Sequence, residues 1–412
     1  MHNKRLIFVP LILALLTFAC GQMQTQTQIS PTITPQTVML TQIVTVEVTR
    51  VVLPNPPTRV KKVVEKGSDL PVARSQHTAT MMEDSRILLV GGSIAPDEFT
   101  SEVDIFDPSN GSMRSVAPLN TGRHGHSAAL LRDGRVLIVG GYNAINSWLT
   151  DAEIYDPARD RWTVIQPLYP HGVGHTATQL KNGDVLIVGG CIGSGVCTER
   201  VEIFNPATNS WRPAASLPSD RASHAAVLLQ DGRVLVIGGG SAAGVPLGGD
   251  ALVYDPASDS WTSTAPMITP RLFTQGILLR DGRVLAAGGT ALSDPTNETM
   301  VRGAEIFDPS AMTWSAAADL NQTRYGHVLV LLANGNVLAV GGAQSYSNMD
   351  PASYQRQIEV YNAARNIWTV IGELPFPRVY STATLLPNGK VWMAGGQFLE
   401  RSRPDTWLIS AP

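Results

Sequence analysis

From residue 74 onwards the chain alternates short apolar runs with polar turns, and the alternation repeats. In one unit His126 to Leu131 forms a first run, Asp133-Gly134 a two-residue break, and Val136 to Val139 a second run ending in Gly140-Gly141. Runs this short, rich in β-branched residues and bounded by turn formers, predict strands rather than helices. Asp-Gly and Asn-Gly suit a tight hairpin, whose two central residues both need positive φ. The same break returns as Asn182-Gly183, Asp231-Gly232, Asp281-Gly282, Asn334-Gly335 and Asn388-Gly389, with Asp84-Ser85 in the first unit. Gly-Gly itself recurs seven times, at 91, 140, 189, 238, 288, 341 and 395, giving spacings of 49, 49, 49, 50, 53 and 54 residues.

After each glycine pair comes a variable loop and then a third strand: VDIFDP from 103, AEIYDP from 152, VEIFNP from 201, ALVYDP from 251, AEIFDP from 304 and IEVYN from 358. Proline after the strand forbids its continuation and opens the next turn. A tryptophan starts the fourth strand at Trp162, Trp211, Trp261, Trp314 and Trp368, with Met113 in the first unit. Four short strands per unit, apolar on both faces, must stack on their neighbours to bury those faces, as the blades of a propeller do. The order Arg-x-x-His, turn, Gly-Gly, Tyr-Asp-Pro, Trp closely resembles the kelch repeat, and the resemblance covers residues 74 to 409. It implies an all-β fold, a seven-bladed kelch-type β-propeller with four antiparallel strands per blade, like the central domain of galactose oxidase. Unit seven shows strands at Ser381 to Leu386, Val391 to Ala394 and Thr406 to Ile409, and no fourth before Pro412. A ring avoids an open edge by borrowing a strand from its other end. Val60 to Val64 is the nearer, preferred candidate for that strand, and Val44 to Val52 the alternative.

The upstream segment changes the picture of where the propeller works. Asn3, Lys4 and Arg5 precede an apolar run, Leu6 to Phe18, too short for a membrane span of roughly 20 residues. Leu16-Thr17-Phe18-Ala19-Cys20-Gly21 resembles the lipobox of bacterial lipoproteins, although Thr17 stands where leucine is common. That resemblance implies a signal peptide over 1–19 and a lipidated Cys20 holding the protein to a membrane; an ordinary cleaved signal peptide is the alternative. Both readings put the protein outside the cytoplasm, in the cell envelope. Residues 20–58 read as a Gln/Thr/Pro tether, since Gln22 to Gln42 carries no charge and little apolar surface to offset its ordering entropy. Within it VTVEVTRVVL from 44 is β-prone and is stopped by Pro54, Pro56 and Pro57; it is similar to stalks that follow the lipidated cysteine in some bacterial surface lipoproteins. The propeller then takes 59–412. A net charge of -3 with no basic block gives no case for nucleic acid as a partner.

Comparing the units separates residues of architecture from candidate ligand contacts. His77, His126, His175, His224 and His327 share one position and read as buried hydrogen-bonding groups, with Thr274 and Ser381 replacing them in units five and seven. Arginines stand three residues earlier at Arg74, Arg123, Arg221, Arg271, Arg324 and Arg378; unit three has Gly172 there, preceded by His171. Acids recur in the third strand at Asp104, Glu153, Glu202, Glu305 and Glu359, which predicts a ring of ion pairs. The functional alternative is an arginine-lined funnel for an anion, with Arg123 and Arg324 as candidate contacts.

Residues that differ between units are the better ligand candidates. They include His124, Phe273, Tyr325 and Tyr380, at the chain's entry to the innermost strand, and Tyr142, Asn143, Trp148, Gln344, Tyr346 and Gln397, in the loops after Gly-Gly. Aromatic rings beside amides suit sugars or peptide segments. Cys191 and Cys197, in the loop CIGSGVC, are expected to form a disulfide that stiffens one rim loop.

No cofactor or metal spacing stands out. The resemblance to galactose oxidase does not carry its copper ligands over, because no spare cysteine and no C-terminal domain are recognisable. Sialic-acid epimerases of kelch type are a second enzymatic comparison, and no transferable motif matches. The pattern therefore points to a ligand-binding or protein-interaction module, for glycans among other ligands. The alternative is an oxidase or epimerase acting on carbohydrate in the central funnel.

Overall fold

The computed structural model describes residues 63–144, 147–193, 196–241, 249–294, 297–345 and 350–412. The expected signal peptide, Cys20, the tether with Val44 to Val52, and Tyr346 all lie outside the described residues. Seven four-stranded antiparallel sheets follow one another. Blade 1 comprises Thr78–Met81, Ile87–Val90, Val103–Asp107 and Ser112–Val116, and blade 2 comprises Ser127–Leu130, Val136–Val139, Ala152–Asp156 and Arg161–Ile165. Blades 3 to 6 repeat that order. In blade 7, Thr382–Leu385, Val391–Ala394 and Thr406–Ile409 are completed by Val64–Lys66, whose register is Val64 to Ile409 and Lys66 to Trp407. The nearer upstream segment thus closes the ring, with its strand beginning at Val64, the last residue of the stretch expected to do so.

Burial grades from strand to strand. Every second strand is fully buried, as in Ile87–Val90 and Val136–Val139, whereas fourth strands such as Arg161–Ile165 alternate with solvent. A middle strand has blades packed on both faces, so it reads as a continuous apolar run rather than an alternating one. Seven of the eight hydrophobic clusters among the described residues fill the seams between successive blades, and one of them joins Trp392 of blade 7 to Ile87, Leu89 and Phe106 of blade 1. The repeated tryptophans belong to these seams. Trp162, Trp261 and Trp368 donate to the carbonyls of Ala117, Ala215 and Ala318 in the preceding blade, at 2.8, 2.7 and 2.9 Å. Met113 replaces this tryptophan in blade 1, and there Phe106 stacks on Trp392 with centroids 4.1 Å apart.

The glycine pairs mark where backbones of adjacent blades meet. The second glycine's N–H donates to the carbonyl at the arginine position of the next blade, from Gly92 to Arg123 at 2.8 Å round to Gly396 to Arg74 at 2.9 Å. A Cβ on Gly91 would stand 2.5 Å from the Arg123 carbonyl oxygen, so no side chain fits. First strands of successive blades pack against each other all round, and the seventh meets the first; they wall a central channel.

Candidate functional site

Beneath the channel mouth lies a layer of guanidinium groups with almost no exposed surface: Arg74, Arg123, Arg221, Arg271, Arg324 and Arg378. Each spans its own blade from the glycine turn to the third strand. Arg123 donates to the Gly140 carbonyl at 2.8 Å and to Glu153 Oε1 at 2.7 Å; Arg324 donates to Gly341 at 3.0 Å and to Glu359 Oε1 at 2.5 Å. Blades 4 and 7 lack an acid at the repeat position, and Asp250 and Asp405, two residues earlier, replace it. In blade 3 the arginine's part falls to His171, not to Gly172, with Nδ1 2.7 Å from the Gly189 oxygen and Nε2 2.8 Å from Glu202 Oε1. One extra residue follows it, and both Gly172 and Val173 bridge to Cys191. Burial pulls the Arg324 pKa down, and the adjacent Glu359 carboxylate pushes it back up. The layer is therefore structural. Arg123 and Arg324 expose no surface to a ligand, and their terminal nitrogens are bonded inside the blade.

The repeat histidines link blades instead of lining a reactive centre. His77, His126, His175 and His224 share hydrogen bonds through Nε2 with hydroxyls of the preceding blade: Thr382 at 2.9 Å, Thr78 at 2.9 Å, Ser127 at 2.7 Å and Thr176 at 2.9 Å. Burial, with a smaller push from the nearby arginine, lowers His77, His224 and His327 to about 3, so all three are neutral near pH 7.

The mouth itself is a ring made of one residue per blade: Gln76, Gly125, Gly174, Ser223, Phe273, Gly326 and Tyr380. All seven have positive φ, between 51° and 74°. Backbone bonds run along the ring from Gln76 N to Tyr380 O, Gly125 N to Gln76 O, Ser223 N to Gly174 O, Phe273 N to Ser223 O and Tyr380 N to Gly326 O, at 2.8 to 3.1 Å. In the left-handed region glycine is at ease and a bulky side chain is strained. Three blades use glycine, so the four that carry side chains here do so against a local backbone cost. Below the ring the channel opens into a cavity of about 570 Å³ lined by Gln76, Ser223, Phe273, Gln275, His327 and Tyr380 among others.

In blades 2, 5, 6 and 7 two residues separate the arginine and histidine positions at the entry to the first strand, and these pairs divide. Their first members, His124, Leu272, Tyr325 and Val379, are buried, and their second members form the ring. Each first member bridges to the loop after Gly-Gly, as His124 does to Tyr142, Tyr325 to Ala343 and Val379 to Gln397, so entry points and loops share one face. On blades 1 and 2 this rim holds an aromatic cluster. His124 stacks on Phe99 at 4.6 Å, Tyr142 meets both edge-on, and Trp148 packs on Tyr142 at 5.1 Å. His124 Nδ1 lies 2.7 Å from Gln76 Oε1, and burial lowers its pKa to about 4. Cys191 and Cys197 face each other across the next hairpin and are disulfide-bonded. Asn143 directs its amide to the Gly122 carbonyl in the segment entering its blade, Gln397 to the Leu399 carbonyl in its own loop, and Gln344 bonds Gln322 at 2.7 Å. Phe99, Gln76, Ser223 and Gln275 escaped the sequence reading. The first three occupy alignable places, one in a loop after Gly-Gly and two in the ring, and comparing all seven units there would have found them.

Two family models match the chain: the Attractin/LZTR1 beta-propeller over residues 51–265, and the KLHDC2/KLHL20/DRC7 Kelch-repeats domain over residues 174–396. No curated protein matches. Among solved structures, a fungal alcohol oxidase of the AA5 family in complex with copper is similar at 18% identity and a TM-score of 0.70, covering 85% of this chain and 77% of that one. YjhT is similar at 16% identity and a TM-score of 0.56, covering 74% of this chain and 99% of that one. At such identities the likeness speaks for the fold alone. Repeat, ring and family models agree, and the chain belongs to the kelch-repeat β-propellers.

Proposed function

We propose that this chain is a lipid-anchored, extracytoplasmic propeller that binds a glycan on its Gly-Gly loop face and channel mouth. One observation carries the reading. Four blades keep Gln76, Ser223, Phe273 and Tyr380 at positive φ where three blades manage with glycine, and strained side chains persist where they serve a site. The aromatic rim of Phe99, Tyr142 and Trp148 beside the mouth adds flat apolar surface of the kind that sugars stack on. The disulfide at Cys191 supports an oxidising compartment, in keeping with the lipobox-like Cys20. Loss of labelled palmitate on Cys20→Ser would bear out the anchor; unchanged labelling would overturn it.

A carbohydrate-active enzyme is the second reading, favoured by the fold likeness to a copper alcohol oxidase. The donor set does not fit that metal. Among the described residues no three histidine, cysteine or carboxylate side chains converge, and the two rim cysteines are bonded to each other. No step through copper follows. Glycan-array binding by the full chain, with and without added copper and alongside a peroxide assay, tests both readings. A specific glycan bound without turnover, and weakened by Trp148→Ala, is expected; copper-dependent peroxide would overturn the binding reading.

A further inference from the structure

We propose that the channel wall of blades 5 to 7 holds a neutral sugar ring, seated against Phe273 and Tyr380 and hydrogen-bonded by Gln275, His327 and Ser381. This deepens the binding reading above and rests on it.

The links between blades locate the place. Histidine-to-hydroxyl bonds join blade 7 to 1 and continue through blade 4. At blade 5, Thr274 stands in for histidine and reaches the Ala287 carbonyl at 3.4 Å. Between blades 5 and 6 the series has no such substitute. Gln275 stands where a hydroxyl is found elsewhere, and His327 is the one repeat histidine whose Nε2 has no hydroxyl partner, although only 2% of the residue is exposed. The carbonyls of Ala287 and Arg324 lie beside the ring and raise its proton affinity as hydrogen-bond acceptors, but in strained geometry that leaves the ring short of a regular bond. Between blades 6 and 7 Val328 offers no hydroxyl, and Ser381 Oγ is buried without a partner. Other buried polar atoms of the propeller also lack a partner, but these two belong to residues that line the channel cavity in adjacent seams, where a ligand would satisfy them.

The surroundings select the ligand. Among the described residues the cavity lining contains no Asp, Glu, Lys or Arg, so a charged ligand would lose its hydration without a countercharge. Phe273 and Tyr380 line the same arc, and the Tyr380 ring lies across Gly326, 3.2 Å from where a Cβ would sit. Aromatic surface flanked by an imidazole, an amide and a hydroxyl matches the alternating apolar faces and hydroxyl edge of a pyranose. A neutral imidazole can accept one such hydroxyl proton and donate its own N–H to another oxygen.

The test uses the full chain with ¹⁵N-labelled histidine and methyl glycosides of glucose, galactose, mannose and N-acetylglucosamine at millimolar concentration. One glycoside is expected to shift the His327 ring resonances saturably while those of His126 and His224 stay in place. Tyr380→Gly and Phe273→Gly should weaken it about tenfold, and His327→Thr should abolish it. These variants install residues that other blades already carry at the same positions, and unchanged melting temperatures would certify their folds. If no glycoside moves His327, the subsite is overturned, and a positive glycan array would still uphold the wider binding face. Binding that survives all three substitutions likewise overturns the subsite and places the sugar elsewhere on that face. A blank array together with blank titrations overturns both.

Discussion

The buried arginine layer and the ring at the mouth lie two residues apart in six of the seven repeats, and they obey opposite rules. Arg74, Arg123, Arg221, Arg271, Arg324 and Arg378 make the same connections in their blades. Where the partner acid moves, as at Asp250 and Asp405, the guanidinium still finds a carboxylate. At the mouth the backbone is constant and the side chain is not. A blade needs its turn tied to its third strand seven times over, whereas a ligand needs a given contact once. Repetition marks the scaffold, and departure from repetition marks the place to look for recognition.

The widest challenge to this division is pH. His77, His224 and His327 are held near 3 when folded and have an ordinary value of about 6.5 when unfolded, so the unfolded chain takes up protons first. Their contribution to stability is complete above about pH 6.5 and is lost as the pH falls towards 3. By pH 5 each should cost about 2 kcal/mol, seen as a steep fall of the unfolding midpoint from pH 7 to 5. A flat profile would mean that these rings are not buried neutral links. Next in size, Arg324→Ala leaves Glu359 buried without its charge partner and should cost about 3–5 kcal/mol in chemical denaturation. Lost glycan binding with unchanged stability would place this arginine with the mouth residues instead.

Trp261→Ala removes a half-buried ring packed 5.0 Å from Tyr254 and a hydrogen bond across a seam. We expect a loss of about 3 kcal/mol with binding retained in the protein that stays folded. The smallest expected change in stability is at the mouth. Tyr380→Gly relieves a φ of 55° and loses some packing, so the unfolding midpoint should correspond to within about 1 kcal/mol of the parent. A large loss would make Tyr380 part of the scaffold and erase the comparison.

The propeller, its seven blades and the closing strand were legible because they rest on period, turn chemistry and apolar runs, which a single sequence carries. So was the arginine–acid pairing, since both partners recur. The alternative of an anion funnel failed on burial, which a repeat pattern does not report. His171 was misplaced by one residue because an insertion after it shifts the count without changing the composition. The mouth ring was only half visible. Spacing brings His124-Gly125 and Val379-Tyr380 to the channel, but which member faces inward depends on a backbone turned to positive φ, and glutamine, serine, phenylalanine and tyrosine do not advertise that conformation. His327 looks like any other repeat histidine. Its distinction lies in Gln275, its neighbour across the seam but 52 residues earlier in the chain.

The strand Val64–Lys66 also sets a timetable. It pairs with Thr406–Ile409, and Thr406 Oγ1 reaches the Ser68 carbonyl across 338 residues of sequence. Every other blade is assembled from contiguous chain, so six sheets can form in order while synthesis proceeds, each on the face of the one before. Until the last strand emerges, the assembly is an open spiral with Ile87, Leu89 and Phe106 uncovered on its first blade. Closure is the one long-range event, and it seals that face and the last sheet edge together. Truncation by a handful of C-terminal residues should therefore be far more damaging than its length implies, because it removes the clasp of a ring rather than the end of a chain.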